Sequence, residues 1–100
     1  MKNIPISVKS AIKKLGKDIK KARLKRRVTM EIQAERAGIS RITLSKIEKG
    51  EAGVSIGAYT SVLFTMGMEN RLRELADPNT DYIGQQLEEE NLPKRVRYSK

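Results

Sequence analysis

The 100-residue chain contains no cysteine, histidine or tryptophan, and only one phenylalanine, three tyrosines and three prolines. Without cysteine there is neither a disulfide framework nor a thiolate metal site. Without histidine the commonest neutral metal ligand and physiological general base are gone as well. Uninterrupted apolar stretches reach only three residues, as at 62–64, against the roughly 20 needed to span a bilayer and the longer core of a signal peptide. No membrane-spanning or targeting segment is expected, and a reducing cytoplasm fits. With so few aromatic residues, the core must come from Ile, Leu, Val, Met and Ala. A chain of this length reads as one domain, able to bury roughly two-thirds of its unfolded surface.

Positive charge is what the chain has in excess. It carries 21 Lys and Arg against 12 Asp and Glu, a formal +9, and the distribution is uneven. Residues 1–50 hold 15 basic and 4 acidic side chains, residues 51–93 hold 2 and 8, and residues 94–100 hold 4 basic and none acidic. A solvated helix face explains charge but not this imbalance. The basic half implies an anionic partner, nucleic acid first. The acidic middle cannot be mainly a DNA surface and is available to a protein partner. An enzyme is not expected: carboxylates are scattered or bunched in the run 88–90, and no acid–base or metal constellation forms. No cofactor and no metal are expected.

Apolar periodicity predicts an all-α fold. Val8, Ile12, Leu15, Ile19 and Ala22 draw one stripe down an N-terminally extended first helix over residues 7–27. Gly16 costs that helix about 1 kcal/mol relative to Ala, and so marks a kink or a start point. Thr29 suits the N-cap of a second helix, 30–37. Gly38 ends it by adopting positive φ. Ser40 opens a third helix, 41–49, closed by Gly50. Ser55 opens a fourth, 56–66, and a fifth follows at 69–76 before Asp77 and Pro78. Asp81 caps a further short helix bearing Ile83 and Leu87. Beyond Leu92 and Pro93, too few apolar residues remain to pack a helix, and an extended or disordered basic tail is expected. The domain is placed at residues 1–76, with its central helix pair at 30–49, and a C-terminal extension at 77–100.

Within the second and third helices, Ala34 is small where two helices cross, and Leu44 and Ile47 face inward. Arg41, Ile42, Ser45, Lys46 and Lys49 then fall outward, where polar and basic side chains suit base edges and phosphates. Residues 19–76 resemble the five-helix, lambda-repressor-like helix-turn-helix domain of the Xre family. The resemblance rests on Ile19 and Arg23, on Thr29, on AERAGIS from Ala34 to Ser40, on LSKIEKG from Leu44 to Gly50, and on the trailing YTSVLFTMGM. It implies base contacts from Ser40, Arg41, Ile42, Ser45 and Lys46. Arg41 suits guanine O6 and N7, and Ile42 a thymine methyl. Phosphate contacts are implied for Thr29, Thr43 and Lys49, and a structural ion pair for Arg23 and Glu48. Thr29, Ser40 and Ser55 equally suit plain helix caps, Lys46 and Lys49 suit solvated positions, and Met30 and Ile32 suit packing. Two residues depart from the pattern. Gln33 stands where an apolar residue is usual, so either it is satisfied at the core edge or the register slips. Met30 replaces a polar residue expected to reach phosphate.

The resemblance implies a sequence-specific transcriptional repressor. One such domain reads too few base pairs to be selective, so a homodimer on a palindromic operator is expected, with the interface drawn from Val62, Met66, Met68, Leu72 and Leu75. The segment after AERAGIS, GEAGVSIGAYTSVLFTMGM and the terminal LPKRVR together resemble the HipB-like antitoxins encoded beside HipA-type kinase toxins. That implies autoregulation in the cytoplasm, at the nucleoid, and a kinase toxin as partner. A stand-alone phage-type repressor shares every helix above. An RNA-binding protein explains the charge but not LSKIEKG, and it lacks aromatic stacking platforms.

Overall fold

The computed structural model describes residues 3–98 of the backbone and side chains through Asn91. Six helices and no strand occur among the described residues: α1 (Ile6–Lys25), α2 (Met30–Ala37), α3 (Arg41–Glu48), α4 (Ile56–Thr65), α5 (Glu69–Arg73) and α6 (Tyr82–Tyr98). None is long and apolar enough to cross a membrane. The chain divides into two compact units, Met1–Glu69 and Asn70–Lys100, whereas the sequence places the boundary after residue 76.

Local chemistry explains the helix limits of the first unit. Thr29 accepts a hydrogen bond from the Ile32 amide at 3.2 Å, Ser40 from Thr43 at 3.0 Å and Ser55 from Ala58 at 3.1 Å, each answering an amide that a helix start leaves unpaired. Gly38 closes α2 at φ 71°, donating to Glu35 O while Ile39 donates to Ala34 O. A side chain at this angle would be strained. The turn from α2 to α3 is therefore three residues long.

The core of this unit forms where α2 packs on α3 and α4, and α1 on α3. Ile19, Leu44, Ile47 and Val62 are its most buried side chains, joined by Ala22, Ala34, Tyr59, Leu63 and Met66. Burial of each large aliphatic contributes about 1.5–3 kcal/mol. Val62 and Met66 are spent here, and Met68 packs partly against the same cluster, so these three do not supply the apolar interface expected of them. Exposed apolar surface on α4 comes instead from Ile56 and Phe64. The Tyr59 hydroxyl donates to Glu51 O at 2.9 Å, and burial holds its pKa above the ordinary value.

The stripe on α1 is only partly used. Ile19 and Ala22 are buried and Ile12 partly so; Val8 is exposed because the helix outruns the core before Ile12, and Leu15 is exposed although Ile12, nearer the N-terminus, still packs. Gly16 is neither kink nor start: α1 is continuous through it. Gly16 is buried against α3, where a Cβ would lie 2.5 Å from Ile47 O and 2.7 Å from the Gly50 amide. Gln33 is satisfied rather than out of register. Its amide donates to Thr65 Oγ1, whose hydroxyl donates to Val62 O at 2.6 Å.

The turn after α1 holds Arg27 at φ 54°, the one positive-φ residue among the described residues that is not glycine. Left-handed backbone costs an L-residue roughly 1–2 kcal/mol, partly offset in glycine by greater unfolded-state freedom. Arg27→Gly is expected to raise the unfolding free energy by about 0.5–1 kcal/mol in urea titration; an unchanged or lowered value would show that the guanidinium stabilises the turn.

In the second unit, Asp81 accepts from the Gly84 amide at 2.9 Å and caps α6, and Gln85 donates to Pro78 O at 2.7 Å. The helical backbone continues through Tyr98, so the segment after Leu92 is not extended as expected. Glu88–Glu90 and the Lys and Arg residues beyond Pro93 are good helix formers. The side chains of the basic tail, and its last two residues entirely, lie outside the described residues. Ile83 and Leu87 are exposed.

Candidate nucleic-acid interface

Each residue of α3 takes its environment from its angular position. Leu44 and Ile47 are fully buried and Glu48 nearly so; Arg41, Ile42, Lys46 and Lys49 are exposed and Ser45 is half-buried. At about 100° per residue, these last five fall within an arc of about 140° on the side away from the core. Five of the eight candidate contact residues thus share one accessible face, carrying three cations, one hydroxyl and one branched aliphatic group.

The other three sit apart. Ser40 and Thr43 are tied to each other at the N-terminus of α3: besides capping the Thr43 amide, the Ser40 hydroxyl donates to Thr43 Oγ1 at 2.9 Å. Thr43 is half-buried and borders, with Lys46, Glu51, Val54 and Ser55, a cleft of about 340 Å³ between α3 and the start of α4. Thr29 is exposed and caps α2. Met30 packs partly against the core, whereas Ile32 is exposed and is not a packing residue.

The orientation of α3 is set from behind by charge. Arg23 Nε lies 2.7 Å from Glu48 Oε2 and Nη2 lies 3.1 Å from Oε1, a two-pronged pair whose side chains are 8% and 5% exposed. The remaining guanidinium nitrogen, Nη1, donates to Val28 O at 2.9 Å. Buried this far, each charge depends on the other. The planar guanidinium fixes both distance and angle between α1 and α3. A cleft of about 180 Å³ opens beside the pair, lined by Lys20, Met30, Ser45 and Lys49 as well as Arg23 and Glu48. Lys20 of α1 therefore joins Ser45 and Lys49 of α3.

The basic run 13–27 splits by role once folded. Arg23 is structural, and so is Arg26, which donates to Ala22 O at 3.0 Å and to Met66 O at 3.3 Å, tying the ends of α1 and α4. Lys14 pairs with Asp18 at 2.7 Å on the surface, and this hydrogen bond holds the Asp18 carboxyl below its ordinary pKa. The resemblance singles out Arg23 as the partner of Glu48, but nothing in the charge pattern singles out Arg26, whose distant partner, Met66 O, is supplied only when α4 docks. Among the described residues no group of three side chains suited to a metal ion occurs. No family model, curated protein or solved structure matches the chain.

Proposed function

We propose that the chain is a sequence-specific duplex-DNA-binding repressor whose first unit is a lambda-repressor-like helix-turn-helix domain of the Xre type, with α3 as recognition helix. The observation that carries this reading is the accessible arc of Arg41, Ile42, Ser45, Lys46 and Lys49 on a helix whose opposite side is locked by Leu44, Ile47 and the Arg23–Glu48 pair. A preorganised helix with base-reading and phosphate-holding side chains on one face is what major-groove recognition requires. The +11 charge of residues 1–50 supplies the sequence-independent part of the affinity.

A homodimer on a palindromic site follows from the short reach of one recognition helix. Exposed Ile56 and Phe64 on α4 offer an apolar surface for a second copy. The resemblance to HipB-like antitoxins makes a HipA-type kinase toxin the protein partner and the nucleoid the place of action. The acidic segment 51–93 suits that contact better than it suits DNA.

Selection from a random duplex library, followed by binding profiles for single-base variants, tests the DNA reading. Arg41→Ala is expected to relax preference at one base step per half-site, worth about 1–3 kcal/mol. Lys49→Ala is expected to weaken all sequences alike. Identical profiles for the two variants would refute the assignment. For a dimer neutralising about 6–10 phosphates, log K against log salt falls with a slope of about −5 to −9. Co-purification from the native host that yields DNA and no kinase would reduce the reading to a stand-alone repressor.

A further inference from the structure

The lysines of α1 form a second cationic surface that the recognition helix does not explain. Lys9, Lys13, Lys17, Lys20 and Lys21 are all exposed, and among the described residues none has a carboxylate within ion-pair distance. At about 100° and 1.5 Å per residue they occupy an arc of about 120° and a length of about 18 Å, opposite the side on which Ile12, Ile19 and Ala22 meet the core. Ile6 and Val8 are exposed, so core packing does not account for the turns of this helix that precede Ile12.

The position of this surface relative to α3 is fixed at two points. Gly16 rests on the backbone at Ile47, Glu48 and Gly50, and seven residues further along α1 the Arg23–Glu48 pair joins the same two helices. The edge of the lysine face adjoins the edge of the α3 face. A Cβ on Gly50 would meet the Lys13 backbone, and Lys20 lines the same cleft as Ser45 and Lys49. One cationic surface therefore passes from Lys49 to Lys20 and along α1 to Lys9.

Resting on the reading of α3 as a DNA-reading helix, we propose that this face of α1 binds the phosphate backbone of duplex DNA flanking the sequence that α3 reads. Duplex DNA carries about one negative charge per 1.7 Å of axis, so a straight, 18 Å row of lysines meets many phosphates. Lysine ammonium groups bind phosphate as point charges with little demand on geometry. An anionic bilayer is the less suitable occupant. Surface helices bury a continuous apolar face, and the lysine side of α1 carries none. The bulky apolar residues among the lysines are Ile6 and Leu24, about 27 Å apart along the helix.

Fluorescence anisotropy on a long mixed-sequence duplex, across about 50–200 mM salt, tests the proposal. The triple variant Lys9→Gln, Lys13→Gln, Lys17→Gln alters exposed side chains and is expected to keep the wild-type melting temperature. Its slope of log K against log salt is expected to flatten by about 0.9 for each lysine paired with phosphate, about 2–3 per bound chain. The corresponding triple arginine variant is expected to retain the wild-type slope. A glutamine variant with an unchanged slope would overturn the proposal and leave the α3 reading standing, provided Arg41→Ala still changes sequence preference. Wild-type protein that ignores the duplex but binds phosphatidylserine vesicles through these lysines would overturn both.

Discussion

Glu48→Gln is expected to lower the unfolding free energy by about 3 kcal/mol, at the low end of the roughly 3–5 kcal/mol that follows when one partner of a buried ion pair is removed. Size and geometry are nearly conserved, so the loss is electrostatic. Arg23 would keep its hydrogen bond to Val28 O at 2.9 Å and an amide oxygen in place of a carboxylate. Its charge would remain buried without a counter-ion, because the guanidinium stays protonated at any pH the protein meets. In a domain of this size 1 kcal/mol corresponds to about 4–8 °C, so a fall of more than about 10 °C in melting temperature is expected. The double variant Arg23→Met, Glu48→Leu separates charge from packing: with no stranded ion, it is expected to be considerably more stable than Glu48→Gln. If α3 reads DNA as proposed, affinity for DNA should not recover with it, because the paired ions also set the angle of α3. Equal melting temperatures for wild type and Glu48→Gln would mean that the pair contributes no net stabilisation, and recovery of affinity in the double variant would remove its orienting role.

How much of this was readable beforehand depended on whether the determining contact is local. Thr29, Ser40 and Ser55 cap the helices that follow them because a hydroxyl needs only an amide three residues on. That arrangement is written in consecutive residues, and so is the left-handed turn at Gly38. Leu44 and Ile47, three apart and flanked by polar residues, declared the inward face of α3. What escaped was decided between segments. Periodicity alone does not say which positions of the α1 stripe the core covers: Ile12, Ile19 and Ala22 meet it, and Val8 and Leu15 stay exposed. Val62 and Met66 are apolar in the same way whether they fill a core or face a partner, and only the docking of α4 shows that they fill the core. Gln33 needed Thr65, 32 residues away, to become an acceptable buried residue. Arg26 needed the carbonyl of Met66, 40 residues away. On α3 itself, spacing indicated which side chains share a face, but not that Ser40 and Thr43 would be held by one another at its start.

Gly16→Ala is expected to destabilise the fold, reversing the sign that helix propensity gives. In an exposed helix interior the substitution would gain about 1 kcal/mol. At Gly16 the new methyl would stand 2.5 Å from Ile47 O, 2.7 Å from the Gly50 amide and 2.9 Å from Glu48 O. All three are backbone atoms at the C-terminal end of α3 and the turn that follows it, with no rotamer to change, so α1 must move away from them. Overpacking of a tight core typically costs about 1–3 kcal/mol. With backbone on the receiving side the cost falls at the upper end of that range, which leaves a net loss of up to about 2 kcal/mol after the propensity gain, and Gly16→Val is expected to exceed it. Ser10→Ala, at an exposed position on the same helix, is the control and should be neutral or slightly stabilising. The separation of α1 from α3 also stretches the Arg23–Glu48 pair about two turns further along the same face, so Gly16→Ala and Glu48→Gln should be less than additive in a double-mutant cycle. Strict additivity would mean that the crossing at Gly16 and the ion pair act independently. A Gly16→Ala protein as stable as wild type would mean that α1 and α3 are not in backbone contact, and with that the fixed register between the lysine face of α1 and the arc of α3 would be lost.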